Sequence, residues 1–379
     1  MMTNFPLPPG HTIGILGGGQ LGKMLALAAA QLGLRAHIYC PQNYAPAFDV
    51  SAFKTVADYD DLPALRQFAK SVDVVTIEFE NIPAETLAEI SKYSDIAPNA
   101  DALAIVQDRL LEKNMVRQSG IDVTPFEPVP SRDELELALE KIGMPAILKT
   151  RRLGYDGKGQ QKIDSTTDLD QVYASFENQD LILEAYVPFE LEFSVVLVRS
   201  RDGDILEYTP SENIHKNHIL SRTIVPANLP DATLEIARSI ARQIGRELNF
   251  VGVLAVEMFY LKASGKNQIL VNEIAPRVHN SGHWTIDACT VSQFENHIRA
   301  VAGWPLGSTV RHSDAEMINL LGSDVEGWQK IAANKTVALH IYNKGEAIAG
   351  RKMGHVTRLY PRRDGSSKFY LERLKTDRQ

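Results

Sequence analysis

The sequence predicts an α/β protein built from three successive parts. In the first part, short apolar strands alternate with helices, a pattern typical of a parallel sheet covered on both faces. From Leu181 to Met258 the strands are longer and alternating, which favours a mixed or antiparallel sheet. The segment Gly303-Trp304-Pro305-Leu306-Gly307 marks a boundary before a last, β-rich part. At 379 residues the chain is too long for one ordinary core, which agrees with several domains.

The first part is defined by its buried strands. Thr12 to Leu16 is a predicted strand, Gln20 to Leu34 a helix, and Arg35 to Cys40 a second strand. A further strand is predicted from Val72 to Phe79. Ligands of such sheets bind at the carboxyl ends of the strands. We expect this domain to span residues 1–100.

The second part begins with a predicted helix from Ala102 to Ser119, stopped by Gly120. An extended connector follows at Val123 to Pro128, and then a helix over 131–142. The strand Pro145 to Lys149 leads into a glycine-rich loop. We expect the second domain to span residues 101–302 and the third, with a charged tail, residues 303–379.

Composition limits the classes of function. The net charge of −7, from 40 basic and 47 acidic residues, argues against binding to nucleic acid or an anionic membrane. Cys40 and Cys289 provide no disulfide framework, which is typical of a reducing compartment, and we expect a cytoplasmic protein. No apolar run approaches the length that crosses a bilayer.

A first glycine motif, Gly17-Gly18-Gly19-Gln20-Leu21-Gly22, matches G-x-G-x-x-G between a strand and a helix. Glycines let the backbone approach a phosphate, and a helix N-terminus favours negative charge. NAD is the obvious ligand, but the second strand ends Tyr39-Cys40-Pro41 and offers no acid for a ribose hydroxyl. Tight packing of strand on helix and a different anionic ligand therefore remain as alternatives.

The second motif is the loop from Lys149 to Gln160, in which three glycines stand among basic residues after a strand-borne lysine. Backbone amides and cationic side chains in such a loop suit a lid over a polyphosphate. The loop lacks the G-x-x-x-x-G-K-[ST] pattern of a P-loop. A plain surface hairpin is the alternative.

A pair of carboxylates forms the third motif. Two apolar strands flank the turn Ser264-Gly265-Lys266, and counting outward from Gly265 brings Glu257 opposite Glu273. Two facing carboxylates repel one another unless a cation lies between them. Mg²⁺ is held by one or two carboxylates together with nucleotide phosphates, so the pair predicts a magnesium site.

The segment after Glu273 is the densest in functional groups. Pro276 and Gly282 interrupt regular structure there, and Arg277, His279 and Asn280 follow the strand directly. This density is typical of the rim of an enzyme's active site. His279 and His283 have helical zinc spacing, but Ser281-Gly282 makes a helix unfavourable, so a zinc site is disfavoured.

Together these residues resemble the ATP-grasp superfamily and, within it, the 5-(carboxyamino)imidazole ribonucleotide synthases. The resemblance runs from Gly14 to about His355. Its most specific blocks are Arg151 to Gln160, Asn272 to Thr285, Met317 to Gly322 and Gly350 to His355. The fold implied is an ATP-grasp fold with an N-terminal Rossmann-like (pre-ATP-grasp) domain, a central ATP-grasp domain and a small C-terminal β-rich domain.

The resemblance implies a carbon–nitrogen ligase that joins aminoimidazole ribonucleotide, bicarbonate and ATP through carboxyphosphate. ATP and Mg²⁺ would be the cofactors, and the chain would form a homodimer. The glycine motif is thereby reassigned from a dinucleotide to a mononucleotide.

Roles for single residues are also implied only by the resemblance. ATP phosphates, adenine and ribose would contact Arg109, Lys149, Gly154, Tyr155, Asp156, Gly157, Lys158, Gly159, Gln160, Glu184, Ala185, Tyr186, Val187, Glu192, His215, Asn272 and Glu273. The ribonucleotide would contact Gln20, Leu21, Glu78, Tyr155, Asp156, Lys344 and Arg351. The metal ligands would be Glu257 and Glu273, and the catalytic set Tyr155, Arg277, His279, Asn280 and Lys344.

Other functions remain open at this point. Within the superfamily these are a formate-dependent glycinamide ribonucleotide transformylase and a biotin-dependent carboxylase. The block from His279 to Trp284 favours the first choice over both. Outside it, a Rossmann NAD(P) oxidoreductase rests on the first glycine motif, and a non-catalytic nucleotide sensor is disfavoured because both Glu257 and Glu273 are present.

Overall fold

The computed structural model describes residues 4–154, 157–177, 179–263 and 266–362. Within these ranges the chain forms three β-sheets that meet around a common cavity. No helix in them combines the length and the apolar character needed to span a membrane.

The N-terminal sheet is parallel, with strand order β3-β2-β1-β4-β5. Its central strand β1 is buried at every residue, because helices cover both faces. Helix α1 ends before the turn at Gly33 (φ +73°), so it is shorter than the helix predicted to Leu34. The elements are β1 Thr12–Leu16, α1 Gln20–Gln31, β2 Arg35–Cys40, β3 Phe53–Val56, α2 Leu62–Lys70, β4 Val74–Ile77, α3 Ala84–Ile90 and β5 Asp95–Ile96.

The helix predicted from Ala102 to Ser119 is wrong as a single element. The structure has α4 Ala100–Val106 and α5 Arg109–Gln118 instead. Asp108 divides them, because its carboxylate accepts a hydrogen bond from the amide of Leu110 at 3.0 Å and so begins a new helix. The same carboxylate binds Arg151 at 2.7 Å, which ties this helix start to the glycine-rich loop.

A small antiparallel sheet carries the glycine-rich loop, with strand order β6-β9-β7-β8. Leu135 and Ala138 of α6 pack with Leu148 and Leu183 of the sheet. Strand β6 begins inside the segment that the sequence predicts as an extended connector and ends one residue beyond it. The elements are β6 Phe126–Val129, α6 Arg132–Ile142, β7 Ala146–Thr150, β8 Gln160–Ile163, α7 Leu169–Ala174 and β9 Leu181–Ala185.

The largest sheet has nine strands among the described residues, in the order β15-β14-β10-β12-β13-β16-β18-β17, with β11 beside β10. Its neighbours pair antiparallel, as the alternating pattern predicts. The elements are β10 Leu191–Arg199, β11 Ile205–Glu207, β12 Ser211–Lys216, β13 Ile219–Val225, α8 Asp231–Glu247, β14 Gly252–Ala263, β15 Lys266–Ala275, α9 Thr285–Ala288, α10 Gln293–Val301, β16 Ser313–Leu321, α11 Trp328–Ala332, β17 Val337–Ile341 and β18 Lys352–Pro361.

The last strands extend this sheet rather than forming one of their own. Residues Arg222 to Val225 of β13 pair with Ala315 to Ile318 of β16, across the boundary predicted at Gly303–Gly307. One apolar core also joins the parts, because Ile13, Val253 and Met317 belong to the same buried cluster. The boundaries at residues 100 and 302 stay predictions about how the chain divides.

His297 fastens the N-terminal sheet to the largest one. Its Nδ1 accepts from the amide of Val253 at 3.0 Å, so its Nε2 carries the proton and donates to Oγ1 of Thr76 at 2.8 Å. The ring is fully buried on α10, and burial lowers the pKa of His297 to about 3.

We predict that this histidine destabilises the fold on acidification. The pKa of an unfolded histidine is about 6.5, so below that pH only the unfolded chain binds the proton. The stability is therefore present above pH 6.5 and is lost as the pH falls towards the folded pKa of about 3. The unfolding free energy can be measured by urea titration at several pH values between about 6 and 4. Its slope against pH should be smaller in His297→Gln than in the wild type by about 1.4 kcal/mol per pH unit.

The control for this prediction is His312→Gln, which changes an exposed imidazole. It should leave the slope of the wild type unchanged. An unaltered slope in His297→Gln would contradict the assignment of a buried neutral ring.

Candidate active site

One large cavity lies where the three sheets of the described chain meet. Its volume is about 1240 Å³, and its wall includes the loops after β1 and β4, strands β7 and β9, strands β14 and β15, and the segment between β17 and β18. Pockets for one small ligand occupy roughly 300–1,000 Å³. This cavity therefore has room for more than one substrate.

Nearly all the residues that the sequence predicts for the site line this cavity. Gly159 does not, and a Cβ there would lie 2.7 Å from Oγ1 of Thr150, so this glycine (φ +69°) lets the loop pass close to β7. Tyr155 and Asp156 lie outside the described residues. The predicted residues that line it are Gln20, Leu21, Glu78, Arg109, Lys149, Gly154, Gly157, Lys158, Gln160, Glu184, Ala185, Tyr186, Val187, Glu192, His215, Glu257, Asn272, Glu273, Arg277, His279, Asn280, Lys344 and Arg351.

The two carboxylates of Glu257 and Glu273 face one another across β14 and β15. A regular hairpin would not bring these two residues opposite one another. Ala263 pairs with Lys266, and unbroken pairing from there would set Glu257 opposite Asn272. A β-bulge between Glu257 and Met258 shifts the register by one residue. The expected pair therefore forms, but through a bulge that the counting did not include.

Each carboxylate of the pair has a cationic or polar partner. Oε2 of Glu273 lies 2.8 Å from a guanidinium nitrogen of Arg109, and Oε1 of Glu257 lies 3.0 Å from Nε2 of His279. Burial would raise the pKa of Glu273, but the charge and hydrogen bond of Arg109 outweigh it and hold the pKa at about 2. Glu273 is thus an anion throughout the neutral range.

The donor set of this pair fits a hard divalent cation. The side chain of Glu273 is 39% exposed to the cavity, and Glu257 also lines it. Carboxylate oxygens on one wall of a phosphate-sized cavity are the ligands that Mg²⁺ prefers, with the remaining positions left for phosphate and water. Glu257 and Glu273 are therefore the residues that would hold magnesium.

His279 and His283 lie in different surroundings. Both ring nitrogens of His279 have partners, Glu257 at 3.0 Å and Oγ of Ser281 at 2.8 Å. His283 is fully buried away from the cavity, with its ring 5.4 Å from that of Phe294. Burial lowers the pKa of His283 well below the usual range.

A second cluster of possible donors consists of Asp287, His340 and His355, whose donor atoms lie within 4.8 Å of one another. The rings of His340 and His355 are stacked, with centroids 4.4 Å apart and planes 13° apart. The lone pairs of parallel rings lie in separate planes and do not converge on one ion. Nε2 of His340 lies 3.0 Å from the carboxylate of Asp287. The cluster thus joins β17 to α9 by packing and a hydrogen bond.

The first glycine motif surrounds a side chain of the protein itself. The carboxylate of Glu78, from the end of β4, accepts hydrogen bonds from the amides of Gly19 and Gly22, the latter at 2.6 Å. A Cβ at Gly17 would collide with Cγ of Glu78. The carboxylate thus occupies the start of α1, where a dinucleotide would place its pyrophosphate. This position excludes the oxidoreductase alternative.

Lys113 is a buried residue of the site that the sequence prediction missed. Its ammonium donates to the carbonyl oxygen of Asn272 at 2.9 Å and lies 3.4 Å from Oε2 of Glu184. Lys149 shares that oxygen at 2.8 Å. Burial would raise the pKa of Glu184, but these two cations lower it to about 2. The only sequence signal is the spacing of Lys113 four residues after Arg109, which puts both on one helix face.

An apolar wall was also missed. Phe189 and Phe259 line the cavity with rings stacked 4.5 Å apart and 3° from parallel, and Ile147 of β7 lines it too. Phe259 stands two residues after Glu257 on β14, so both point to the same face. Such a wall suits a flat heteroaromatic ring next to the charged groups.

Glu80 is a further missed residue. It follows β4 and binds the guanidinium of Arg277, and both residues line the cavity. No motif in the sequence links them, because 197 positions separate the pair.

Comparison with known families agrees with this geometry. The model of the ribonucleotide synthetase preATP-grasp domain matches residues 10–107. The ATP-grasp domain model matches residues 114–294, and that of the phosphoribosylaminoimidazole carboxylase C-terminal domain matches residues 315–365. The predicted ATP-grasp fold with its two flanking parts is confirmed.

Individual relatives extend over nearly the whole chain. The N5-carboxyaminoimidazole ribonucleotide synthase of Brucella melitensis is 47% identical over 363 residues, covering 95% of this chain and 99% of that protein. The bifunctional purine synthesis protein purC/E of Dictyostelium discoideum is 48% identical over 370 residues, and the match spans 93% of this chain but only 37% of that longer protein.

A solved structure of N5-carboxyaminoimidazole synthase from Aspergillus clavatus, in complex with ADP and 5-aminoimidazole ribonucleotide, superposes with a TM-score of 0.86. It is 30% identical and covers 93% of this chain and 94% of its own. Since the family models, the relatives and the fold agree, the chain belongs to the N5-carboxyaminoimidazole ribonucleotide synthases of the ATP-grasp superfamily.

Proposed function

We propose that the chain carboxylates 5-aminoimidazole ribonucleotide to 5-(carboxyamino)imidazole ribonucleotide in purine (IMP) biosynthesis, consuming ATP and bicarbonate and releasing ADP and phosphate. One observation supports this above the others. A single cavity holds an acidic pair for a metal-bound nucleotide, the Arg277–Asn280 segment beside it, and the cations Lys344 and Arg351 that suit a second phosphate.

The nucleotide end of the cavity lies between the small sheet and the largest sheet. Arg109 and Lys149 supply positive charge for the phosphates, and Gly154, Gly157, Lys158 and Gln160 of the glycine-rich loop line the same cavity, so this loop would serve as the lid. The backbone of Glu184 to Val187 borders the apolar wall and would hold adenine. His215 and Glu192, paired at 3.0 Å, would hold the ribose. Asn272 completes this end.

Magnesium is assigned to Glu257 and Glu273 on their donor chemistry. When bound, the ion would neutralise phosphate oxygens and align the γ-phosphoryl group for in-line transfer. The protein's own part is to keep Glu273 ionised through Arg109 and to hold the two carboxylates opposite one another through the β-bulge, with His279 3.0 Å from Glu257.

Bicarbonate is a poor electrophile, and phosphorylation makes its carbon reactive. An oxygen of bicarbonate forms a bond to the γ-phosphorus of ATP while the bond to the β–γ bridging oxygen breaks, giving carboxyphosphate and ADP. Carboxyphosphate then divides into carbon dioxide and phosphate, the carboxyl proton passing to phosphate. The exocyclic amine adds to carbon dioxide and loses a proton. Arg277, His279 and Asn280 stand where they can stabilise the developing negative charge.

The ribonucleotide end lies against the N-terminal sheet and the C-terminal strands. Gln20, Leu21 and Glu78 line this end, and Lys344 and Arg351, which also line the cavity, would bind the phosphate. Burial raises the pKa of Glu78, opposed by the amides of Gly22 and Gly19 and the charge of Lys344. Tyr155 and Asp156 are assigned here from the resemblance alone. The homodimer and the cytoplasmic location also stay predictions.

The direct test is the substrate requirement for ADP release. ADP should form at an appreciable rate only when bicarbonate and aminoimidazole ribonucleotide are both present, and the carboxylated ribonucleotide should accumulate with it. Formate-dependent activity on glycinamide ribonucleotide without bicarbonate would instead identify the transformylase alternative. Carboxylation of biotin would identify a biotin-dependent carboxylase.

Glu273→Gln should remove the charge of one metal ligand while keeping its shape. We expect turnover to fall at least about 100-fold at saturating Mg²⁺, because a metal supplies several kcal/mol to phosphoryl transfer. The matched control is Glu247→Gln on exposed α8, which should keep the wild-type rate. Wild-type rates in Glu273→Gln, with circular dichroism unchanged, would contradict the metal assignment.

Lys344→Ala should act mainly on binding of the ribonucleotide. A phosphate contact remote from the reacting amine contributes alike to ground state and transition state, so KM should rise about tenfold or more while kcat changes little. Lys335→Ala, at an exposed site of the same C-terminal part, is the control. An unchanged KM for the ribonucleotide in Lys344→Ala would take this lysine out of the site.

A further inference from the structure

The pairing of Glu80 with Arg277 fixes the orientation of the guanidinium. Nε of Arg277 donates to Oε2 of Glu80, and Nη2 donates to Oε1 at 3.0 Å. This is the two-pronged geometry in which Arg is bound along its side edge. On the other flank, Nη1 donates to the carbonyl oxygen of Val278 at 3.2 Å.

These contacts account for three of the five N–H groups of the guanidinium. One N–H of Nη1 and one of Nη2 have no partner among the residues that the structure describes. The free N–H of Nη2 lies on the end edge of the planar guanidinium, next to Nη1. Glu80 therefore holds the side edge, and the end edge is left for a planar anion.

Asn280 provides a second, independent sign of a ligand at this place. It lines the same cavity as Arg277 and is 8% exposed. Neither its Oδ1 nor its Nδ2 has a hydrogen-bond partner in the described chain. A buried amide without partners is costly, and a bound polar molecule would satisfy it.

The backbone around Glu80 is anchored by hydrogen bonds from Gln107. Gln107, at the end of α4, donates through Nε2 to the carbonyl oxygens of Glu80 at 2.7 Å and Ile82 at 2.8 Å. Burial would raise the pKa of the Glu80 carboxyl, but the charge and hydrogen bonds of Arg277 outweigh it and lower that pKa. The Glu80 carboxylate thus stays ionised beside Arg277, and Gln107 anchors the backbone of Glu80 and Ile82.

We propose that Glu80 is a positioning residue, which sets Arg277 so that its end edge and the Asn280 amide bind bicarbonate. This proposal rests on the carboxylation reaction proposed above. Bicarbonate presents two oxygens in one plane, which match two parallel N–H groups, and a third oxygen for the amide. Glu80 touches no substrate in this arrangement and acts through Arg277.

The test is Glu80→Gln, in which an amide replaces the carboxylate and the two-pronged acceptor is lost. We expect kcat/KM for bicarbonate to fall roughly 10- to 100-fold, the range for losing a charged hydrogen bond. The KM values for ATP and for the ribonucleotide should stay within about twofold, because neither contacts this edge. Glu89→Gln is the control, since Glu89 pairs with Arg66 in the same part of the chain but away from the cavity.

A double-mutant cycle with Arg277→Lys shows whether Glu80 acts through the arginine. Lysine cannot present two parallel N–H groups, so adding Glu80→Gln to Arg277→Lys should cost less than about twofold more. Additive losses would overturn the proposal. So would a Glu80→Gln enzyme with the wild-type dependence on bicarbonate, or one in which all three KM values rise together.

If Glu80→Gln does not fold, Gln107→Met carries the test. It removes the two donors that anchor the Glu80 backbone and should give a smaller, bicarbonate-selective loss; normal bicarbonate kinetics would overturn the proposal. If the wild-type enzyme releases ADP without bicarbonate, the proposed function is wrong. If its ADP release depends on bicarbonate but is unchanged in Glu80→Gln and Gln107→Met, only the present inference is wrong.

Discussion

The site depends on holding two carboxylates, Glu257 and Glu273, face to face in a partly closed cavity. Left alone, such a pair would repel and one member would take up a proton. Arg109 lies 2.8 Å from Glu273 and holds the pKa of that carboxyl well below its usual range, and His279 lies 3.0 Å from Glu257. Both carboxylates also line the cavity, where a metal ion can reach them. The chemistry proposed for this enzyme therefore begins with an electrostatic arrangement built before any nucleotide arrives.

Helix α5 carries much of that arrangement. Arg109 and Lys113 lie one turn apart and reach β15 and β9, and between them Glu112 accepts from the amide of Ile274 at 3.2 Å. Burial raises the pKa of Glu112 above its usual range, opposed by the charges of Lys113 and Arg109. The start of α5 at Asp108 is fixed by Arg151, next to the glycine-rich loop. One helix thus couples the nucleotide loop, the acidic pair and the adenine end.

Local patterns in the sequence predicted β1, β2 and β4 of the N-terminal sheet, the glycine-rich loop and the segment after Glu273, because each depends on neighbours in the chain. What could not be predicted depends on distant partners. The pair of Asp108 with Arg151, which joins the start of α5 to the glycine-rich loop, spans 43 positions, and the pair of Glu80 with Arg277 spans 197 positions. The β-bulge is a further case, since hairpin counting reached the right pair without it. The joining of β16 to β13 likewise has no local signal.

The first glycine motif shows that a local pattern predicts a close approach to the backbone but does not identify the group that approaches. Glycine at positions 17, 19 and 22 means that something approaches the backbone too closely for a Cβ. In dinucleotide enzymes the approaching group is a pyrophosphate, whereas here it is the Glu78 carboxyl group, which follows the neighbouring strand β4. The free amides at the start of α1 find hydrogen-bond acceptors in both cases, because both groups present oxygen atoms to them. A carboxylate in that place stands at the wall of the cavity and leaves the space beyond it for a mononucleotide. The same glycine pattern is therefore compatible with different substrates. The residue that follows the neighbouring strand, here Glu78, determines which group occupies the turn.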